Sequence, residues 1–383
     1  MTKRGPRMAS NPALPALLLA CALALSPAAR AGTGGFLAGL GKSQTLASTE
    51  PANGDLNPYA VAIAPADFGS VQKGDVLVTN FNDARNFQGT GTTLVDYRPA
   101  TGALSVFATV PRHLAGCPGG VGLTAALAVL KSGWVIVGSA PSTDGTARTL
   151  GSGCLIVLDA KGEVAGTITG PDIDDPWGDM AVIDRGDQAQ LFVSNVGFGL
   201  GGSAASAVHR QANVVRLDLV IPSGKPPAVR ASTVIAQGFG AQADPGAFLI
   251  GPTGLTLGAD GQLFVSDALG NRIVAIDEAG TRTRSAGTGR EVTRDGFLAR
   301  PLALALAPNG NLLAVNGLNG DLVEMDPRSG RQIGRRLIDG DEAQTPPGSG
   351  DLFGLAVMPD GQGLYYVEDD MNTLVAARPG KGK

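Results

Sequence analysis

The chain has only two histidines, His113 and His209, and each stands beside an arginine, Arg112 and Arg210. A histidine–arginine pair can hold an anion or move a proton. The densest polar stretch is Asn80-Phe81-Asn82-Asp83-Ala84-Arg85-Asn86-Phe87-Gln88. Amides hydrogen-bond well to sugars or peptides, so Asn80, Asn82, Asp83, Arg85 and Asn86 are candidate ligand contacts. Carboxylates gather at Asp172, Asp174, Asp175 and Asp179, and again at Asp339, Asp341 and Glu342. Such spacing can bind Ca²⁺, but no EF-hand loop pattern supports a site, and the runs read as solvated acidic loops. No metal or other cofactor is therefore expected. There is no Gly-x-Ser-x-Gly nucleophile motif and no phosphate-binding loop.

The elements that position these residues begin with a targeting segment over 1–31. Lys3, Arg4 and Arg7 form a positive start, Ala13 to Leu25 an apolar run, and Ala29-Arg30-Ala31 a small-x-small cleavage site. The apolar run is too short to span a membrane comfortably. An alternative has Leu18-Leu19-Ala20-Cys21 as a lipoprotein box, with Cys21 as the anchor; soluble export, periplasmic or secreted, is the favoured reading. Removing 1–31 leaves Cys117 and Cys154, an even pair that in an exported protein reads as one disulfide, the alternative being two buried thiols.

The remainder, 32–383, is rich in glycine (56 residues) and 43% hydrophobic, which suits short strands and tight turns around a core. The net charge of −4 leaves no basic footprint, so nucleic acid is not an expected partner. A monomer is expected.

Self-comparison shows one unit six times. The clearest copy runs from Gly251 to Gly287 and reads strand, Asp260-Gly261 turn, strand, short loop, strand, Ala-Gly turn, strand. Further copies start at Asn57, at about Gly120, at Pro176, at Arg300 and at Asp351. Asp-Gly and Asn-Gly pairs at Asp260-Gly261, Asn309-Gly310 and Asp360-Gly361 supply the positive φ that tight hairpins need. Four-stranded units cannot bury both faces alone; packing them radially does so, which predicts an all-β, six-bladed β-propeller. The last copy ends after three strands, so Ser43 to Ser48 is predicted to return as its fourth strand and close the ring. Asn80, Asn195, Asp267 and Asn316 recur at the ends of second strands, where they are expected to cap turns.

The Gly251–Gly287 copy resembles the NHL repeat, through Pro252, Gly254, Asp260, Gly261, Val265, Asp267, Asn271 and Arg272. That resemblance implies a six-bladed propeller and leaves function open. The lyases among such propellers bind a metal with several histidines, more than His113 and His209 supply. A more distant similarity is to gluconolactonase-, regucalcin- and strictosidine-synthase-like propellers. In the lactonase-like families an early Glu, with Asn or Asp before the Gly opening an inner strand, holds a divalent cation. The matching positions here are Tyr59, Trp177, Thr253, Leu302 and Phe353, so that ligand set is not carried over. Tyr59, Trp177 and Phe353 instead suggest an aromatic mouth for an apolar or sugar-like ligand, or packing between blades.

Loops between second and third strands are short in blades four to six. In blades one to three they are long: Asn80 to Thr92, Ser139 to Gly153 and Asn195 to Asn213. They share one face with the links between blades, and both histidines and both cysteines fall there. Long loops on a rigid scaffold are where binding sites sit. The favoured function is a non-catalytic exported propeller that binds a small molecule, glycan or protein through the long-loop face of blades 1–3. The alternatives are a lactonase- or strictosidine-synthase-like hydrolase or lyase with a non-standard site, and a purely structural interaction module.

Overall fold

The computed structural model describes residues 35–203 and 207–380, with Met1, Thr2 and Gly5. Apart from those three residues, the targeting segment, its cleavage site and Cys21 lie outside the described residues. Six antiparallel sheets follow one another along the chain as the blades of a propeller. Blade 4 shows the plan: Pro252–Leu257 inside, then Leu263–Asp267, Arg272–Ile276 and, outermost, Arg290–Arg294. Among the described residues no helix is long and apolar enough to cross a membrane.

The ring closes as the strand count predicts. Leu40–Ser48 pairs antiparallel with Thr373–Pro379, placing Ser43 opposite Ala377 and Ser48 opposite Thr373. Just ahead of this strand, the Glu324 carboxylate accepts the Phe36 and Leu37 amides at 2.8 and 2.9 Å, and Arg336 donates to the carbonyls of Leu40 and Gly41. Phe36, Leu37, Leu40 and Gly41 are thereby tied to blade 5, while the strand itself pairs with blade 6. Backbone hydrogen bonds and the amide-binding Glu324 carboxylate replace an open edge.

Successive blades are joined by a repeated hydroxyl relay. Ser266 Oγ accepts the Gly254 amide and donates to the Leu302 carbonyl of blade 5, both at 2.6 Å. Ser194 does the same with the Gly178 amide and the Thr253 carbonyl of blade 4. Thr79 uses the Ala60 amide and the Thr124 carbonyl of blade 2. These hydroxyls are fully buried, so each satisfies two backbone groups that water cannot reach. The close approach also explains two glycines. A Cβ at Gly254 would strike the Leu302 carbonyl, and one at Gly354 would strike the Tyr59 carbonyl where blade 6 meets blade 1.

Three details depart from the expected plan. The fourth strand of blade 4 forms at Arg290–Arg294 and not directly after the Ala279-Gly280 turn. The intervening chain serves blade 3: the Ala286 amide bonds to Ile235 O and the Gln237 amide to Gly287 O, while Arg216 reaches the carbonyls of Ala279 and Arg282. In blade 3 the third strand begins at His209, so the loop after Asn195 is shorter than its composition suggests and His209 is a strand residue. The outer strand of blade 3, Ala228–Asp244, is 17 residues long and pairs at its end with a short fifth strand, Phe248–Ile250.

Cys117 and Cys154 form the expected disulfide, with Cα atoms 5.6 Å apart. It joins the link entering blade 2 to the first residue of that blade's third strand.

Candidate functional site

The inner strands start on the long-loop face and run toward the opposite face, and near their starts the axis is filled by aromatic rings. Tyr59 stacks on Phe353 at 3.9 Å and on Phe81 at 4.5 Å, and meets the Trp177 edge at 5.8 Å. Phe248 completes the cluster against Phe81 and Trp177. Tyr59 is 1% exposed and Trp177 2%, so both are packed between blades; Phe353 alone of the three also reaches a cavity wall. Burial raises the Tyr59 phenol well above its ordinary pKa. At the remaining two positions of the lactonase pattern, Leu302 is apolar and the Thr253 hydroxyl donates to Gly251 O at 3.0 Å. These five side chains offer no carboxylate or amide of the kind that holds a hard cation.

Above the aromatic floor, on the long-loop face, lies a cavity of about 460 Å³. Phe353, Leu302 and Leu249 form its apolar base. Amides surround them: Asn57, Asn82, Asn86 and Gln88 from blade 1, and Gln344 and Asn372 from blade 6. Arg300 and Asp244 face each other across one wall at 3.8 Å. Asp351, Asp369 and Asp370 form another.

Of the nine non-glycine residues with positive φ among the described residues, five lie at or beneath this cavity. Asn57, Asn86, Arg300 and Asn372 line it with φ between 54 and 64°, and Phe248, beneath it, has φ 63°. Asparagine accepts this left-handed region, whereas arginine and phenylalanine do so at a cost of roughly 1–2 kcal/mol each. Neighbouring hydrogen bonds hold them there: Asn271 Oδ1 accepts the Arg300 amide at 2.9 Å, and Asn372 Oδ1 accepts the Asn57 amide at 2.7 Å.

The Asn80–Gln88 stretch divides its labour. Asn80 is fully buried away from the cavity, with Nδ2 donating to Thr49 O at 2.9 Å, so it holds the incoming link instead of a local turn. Asp83 fixes the loop: Arg85 reaches one carboxylate oxygen through Nε and Nη2 at 3.0 and 2.7 Å, and Arg112 approaches at 3.4 Å. Burial raises the Asp83 pKa, but the bonds from Arg85 outweigh it and hold the carboxyl below its usual range. Arg85 lies over the Phe87 ring at 4.5 Å. Asn82 and Asn86 point to the cavity, joined at 2.6 Å, and Asn82 Oδ1 is buried with no protein partner. His113 is exposed outside the cavity, and His209, also outside it, lies 3.2 Å from Ser203 Oγ.

The blade 6 wall is acidic. Burial and the charges of Asp370, Asp339 and Asp341 push Asp351 up to about 7, and burial with the Asp339 charge brings Glu368 to about 7. Burial, then the charges of Asp351 and Asp370, raises Asp369 well above the ordinary carboxyl value. Asp339 and Asp341 stand out in the sequence only as part of a solvated acidic loop, whereas Asp339 is buried, and Asp244, Arg300, Asp351, Asp369 and Asp370 were not among the expected site residues. The Glu368-Asp369-Asp370 run was the available signal.

On the far side of the aromatic floor a second cavity, about 410 Å³, is lined by Ile63, Leu127, Leu255, Leu304 and Val357. Asp179 is its one carboxylate; Oδ2 accepts the Leu304 amide at 3.1 Å, and burial pushes the group up to about 7.

No protein-family model and no curated protein matches the chain. Solved structures do. One is a gluconolactonase from Xanthomonas campestris, 15% identical over 91% of this chain and 93% of that one, with a TM-score of 0.54. The shared fold is the six-bladed β-propeller. A putative gluconolactonase is 17% identical over 89% and 92% of the two chains, with a TM-score of 0.50. Regucalcin of Agrobacterium tumefaciens, a calcium-binding protein, is 13% identical over 90% and 96%, also with a TM-score of 0.50. At these identities the likeness is one of fold, and chemistry has to be argued from the residues.

Proposed function

We propose that this propeller binds a small hydroxyl-rich molecule in the cavity above the aromatic floor, as an exported protein of NHL-like repeats. The observation that carries the reading is the convergence of amides and the Arg300–Asp244 pair on an apolar base within about 460 Å³. That size lies inside the ordinary range for small-ligand sites, and an apolar base with a polar rim is how sugar-like molecules are held. The reading widens the expected footprint, since blades 3, 5 and 6 contribute as much wall as the blade 1 loop. Export is supported by the disulfide and by the composition of 1–31.

The test is a thermal-shift panel of monosaccharides, sugar acids and sugar lactones on wild type and Arg300→Ala. At least one compound is expected to raise the wild-type Tm and to lose that effect in the variant. A panel without any shift rejects the reading.

A hydrolytic alternative has one observation in its favour: Asp351, raised to about 7 and so suited to proton transfer near neutrality, shares the cavity with Asp369, whose carboxyl burial also raises. Opening of a sugar lactone faster than in buffer, and loss of that excess rate in Asp369→Asn, would favour it over simple binding.

A further inference from the structure

Asp339, Asp351 and Asp370 bring carboxylate oxygens within 4.8 Å of one another at the blade 6 wall. Asp339 is 8% exposed and Asp351 4%, and the Oδ2 of each is buried without a protein partner. The other Asp339 oxygen accepts the Asp341 amide at 3.0 Å, which fixes the side chain. Beside them, Gln344 Oε1 is also buried without a partner, while its Nε2 approaches Asp370 Oδ2 at 3.5 Å. Among the described residues, no lysine, arginine or histidine lies within ion-pair distance of these three carboxylates.

Buried carboxylates without a counter-charge are costly, and they are met in structures either protonated or around a cation. Three carboxylates and an amide oxygen form a hard, all-oxygen donor set. Two oxygens bound to one ion at about 2.3–2.6 Å stand no more than about 5 Å apart, so the spacing of the three carboxylates suits a calcium-sized ion.

We propose that Asp339, Asp351 and Asp370 bind one Ca²⁺ at the blade 6 wall of the cavity, with Gln344 Oε1 as a fourth donor once its amide turns from Asp370. The position is off the propeller axis and distinct from Tyr59, Trp177 and Phe353, where the lactonase pattern would put a metal. The ion draws the Gln344-bearing link onto the ends of the blade 6 strands, and its remaining coordination faces the cavity through Asp370. The proposal deepens the ligand-binding reading by assigning one wall to a cation, but calcium binding itself does not need the ligand.

The experiment is calorimetric titration of CaCl₂ into the chelator-treated full-length protein at neutral pH. The wild type is expected to bind one ion per chain, with a calcium-dependent rise in Tm. Asp351→Asn and Asp370→Asn are expected to weaken binding at least about 30-fold while Glu163→Gln, a distant exposed control, leaves it unchanged. Asp370 is exposed, so its variant carries the test if Asp351→Asn misfolds. No heat up to millimolar calcium, or unchanged affinity in both variants, overturns the site; a carboxyl cluster that holds only protons gives the first of these results. Arg300→Ala is expected to lose the ligand response and keep calcium, so failure of one reading is distinguishable from failure of the other.

Discussion

Ser266 shows how little at the residue scale is local. Its hydroxyl accepts the Gly254 amide and also donates to a carbonyl 36 residues away, in the next blade. Ser266→Ala leaves two buried backbone groups unpaired and is expected to cost about 2 kcal/mol, read as a shift of the denaturant midpoint with unchanged slope. Midpoints that coincide would mean the relay contributes nothing. The neighbouring Asp267 was legible because its bonds are short-range, to the Gly270 amide and Arg272. Ser266, Ser194 and Thr79 were not, since their partners stand in another blade and a buried hydroxyl looks like any strand serine. The same holds for Tyr59 and Trp177. Their place at the axis follows from the repeat, whereas the packing that buries them depends on Phe81 and Phe248, which no spacing connects to it.

At the scale of elements, what repeats was readable and what breaks the repeat was not. Three Asp-Gly or Asn-Gly hairpins, the strand missing from the last blade and the parity of the cysteines are all local or countable signals, and the Leu40–Ser48 closure and the disulfide follow from them. The 17-residue outer strand of blade 3 is different. It borrows Ala286 and Gly287 from blade 4, displacing that blade's own outer strand, and no property of residues 281–289 alone announces the loan. The disulfide staples the blade 2 loop region with a sequence separation of 37. Replacing both cysteines with serine is expected to lower stability by about 3–4 kcal/mol on chain-entropy grounds. Equal unfolding free energies in oxidised wild type and the double variant would show that native contacts, and not the staple, order the loop.

Across the whole molecule, six repeats make one ring whose two ends of the axis have opposite character, acidic and amide-rich on the long-loop face and apolar around Asp179 on the other. The cavity was beyond the sequence because its walls come from blades 1, 3, 5 and 6, each giving a few link residues of no distinctive pattern. The charges also set a pH profile. Asp179, Asp351 and Glu368 are raised to about 7, so their contribution is fully present below the ordinary carboxyl pKa of about 4 and is lost as pH rises through 7. Asp83, Glu324 and Asp326 are held below their usual values, so theirs is present above about 4 and lost as pH falls. Melts of calcium-free protein should therefore show a maximum near pH 5, by about which the second group has ionised, and a decline toward pH 8. A Tm that climbs steadily from pH 5 to 8 would contradict this distribution of charge.

In the proposed function, ligand binds above the aromatic floor and not below it. Calorimetric titration of the most stabilising sugar-class compound into two variants separates the faces, since Asn82→Leu alters the upper cavity and Asp179→Asn the lower one. Binding is predicted to be lost in Asn82→Leu and kept at wild-type affinity in Asp179→Asn; binding that survives the first substitution and fails in the second would contradict the account.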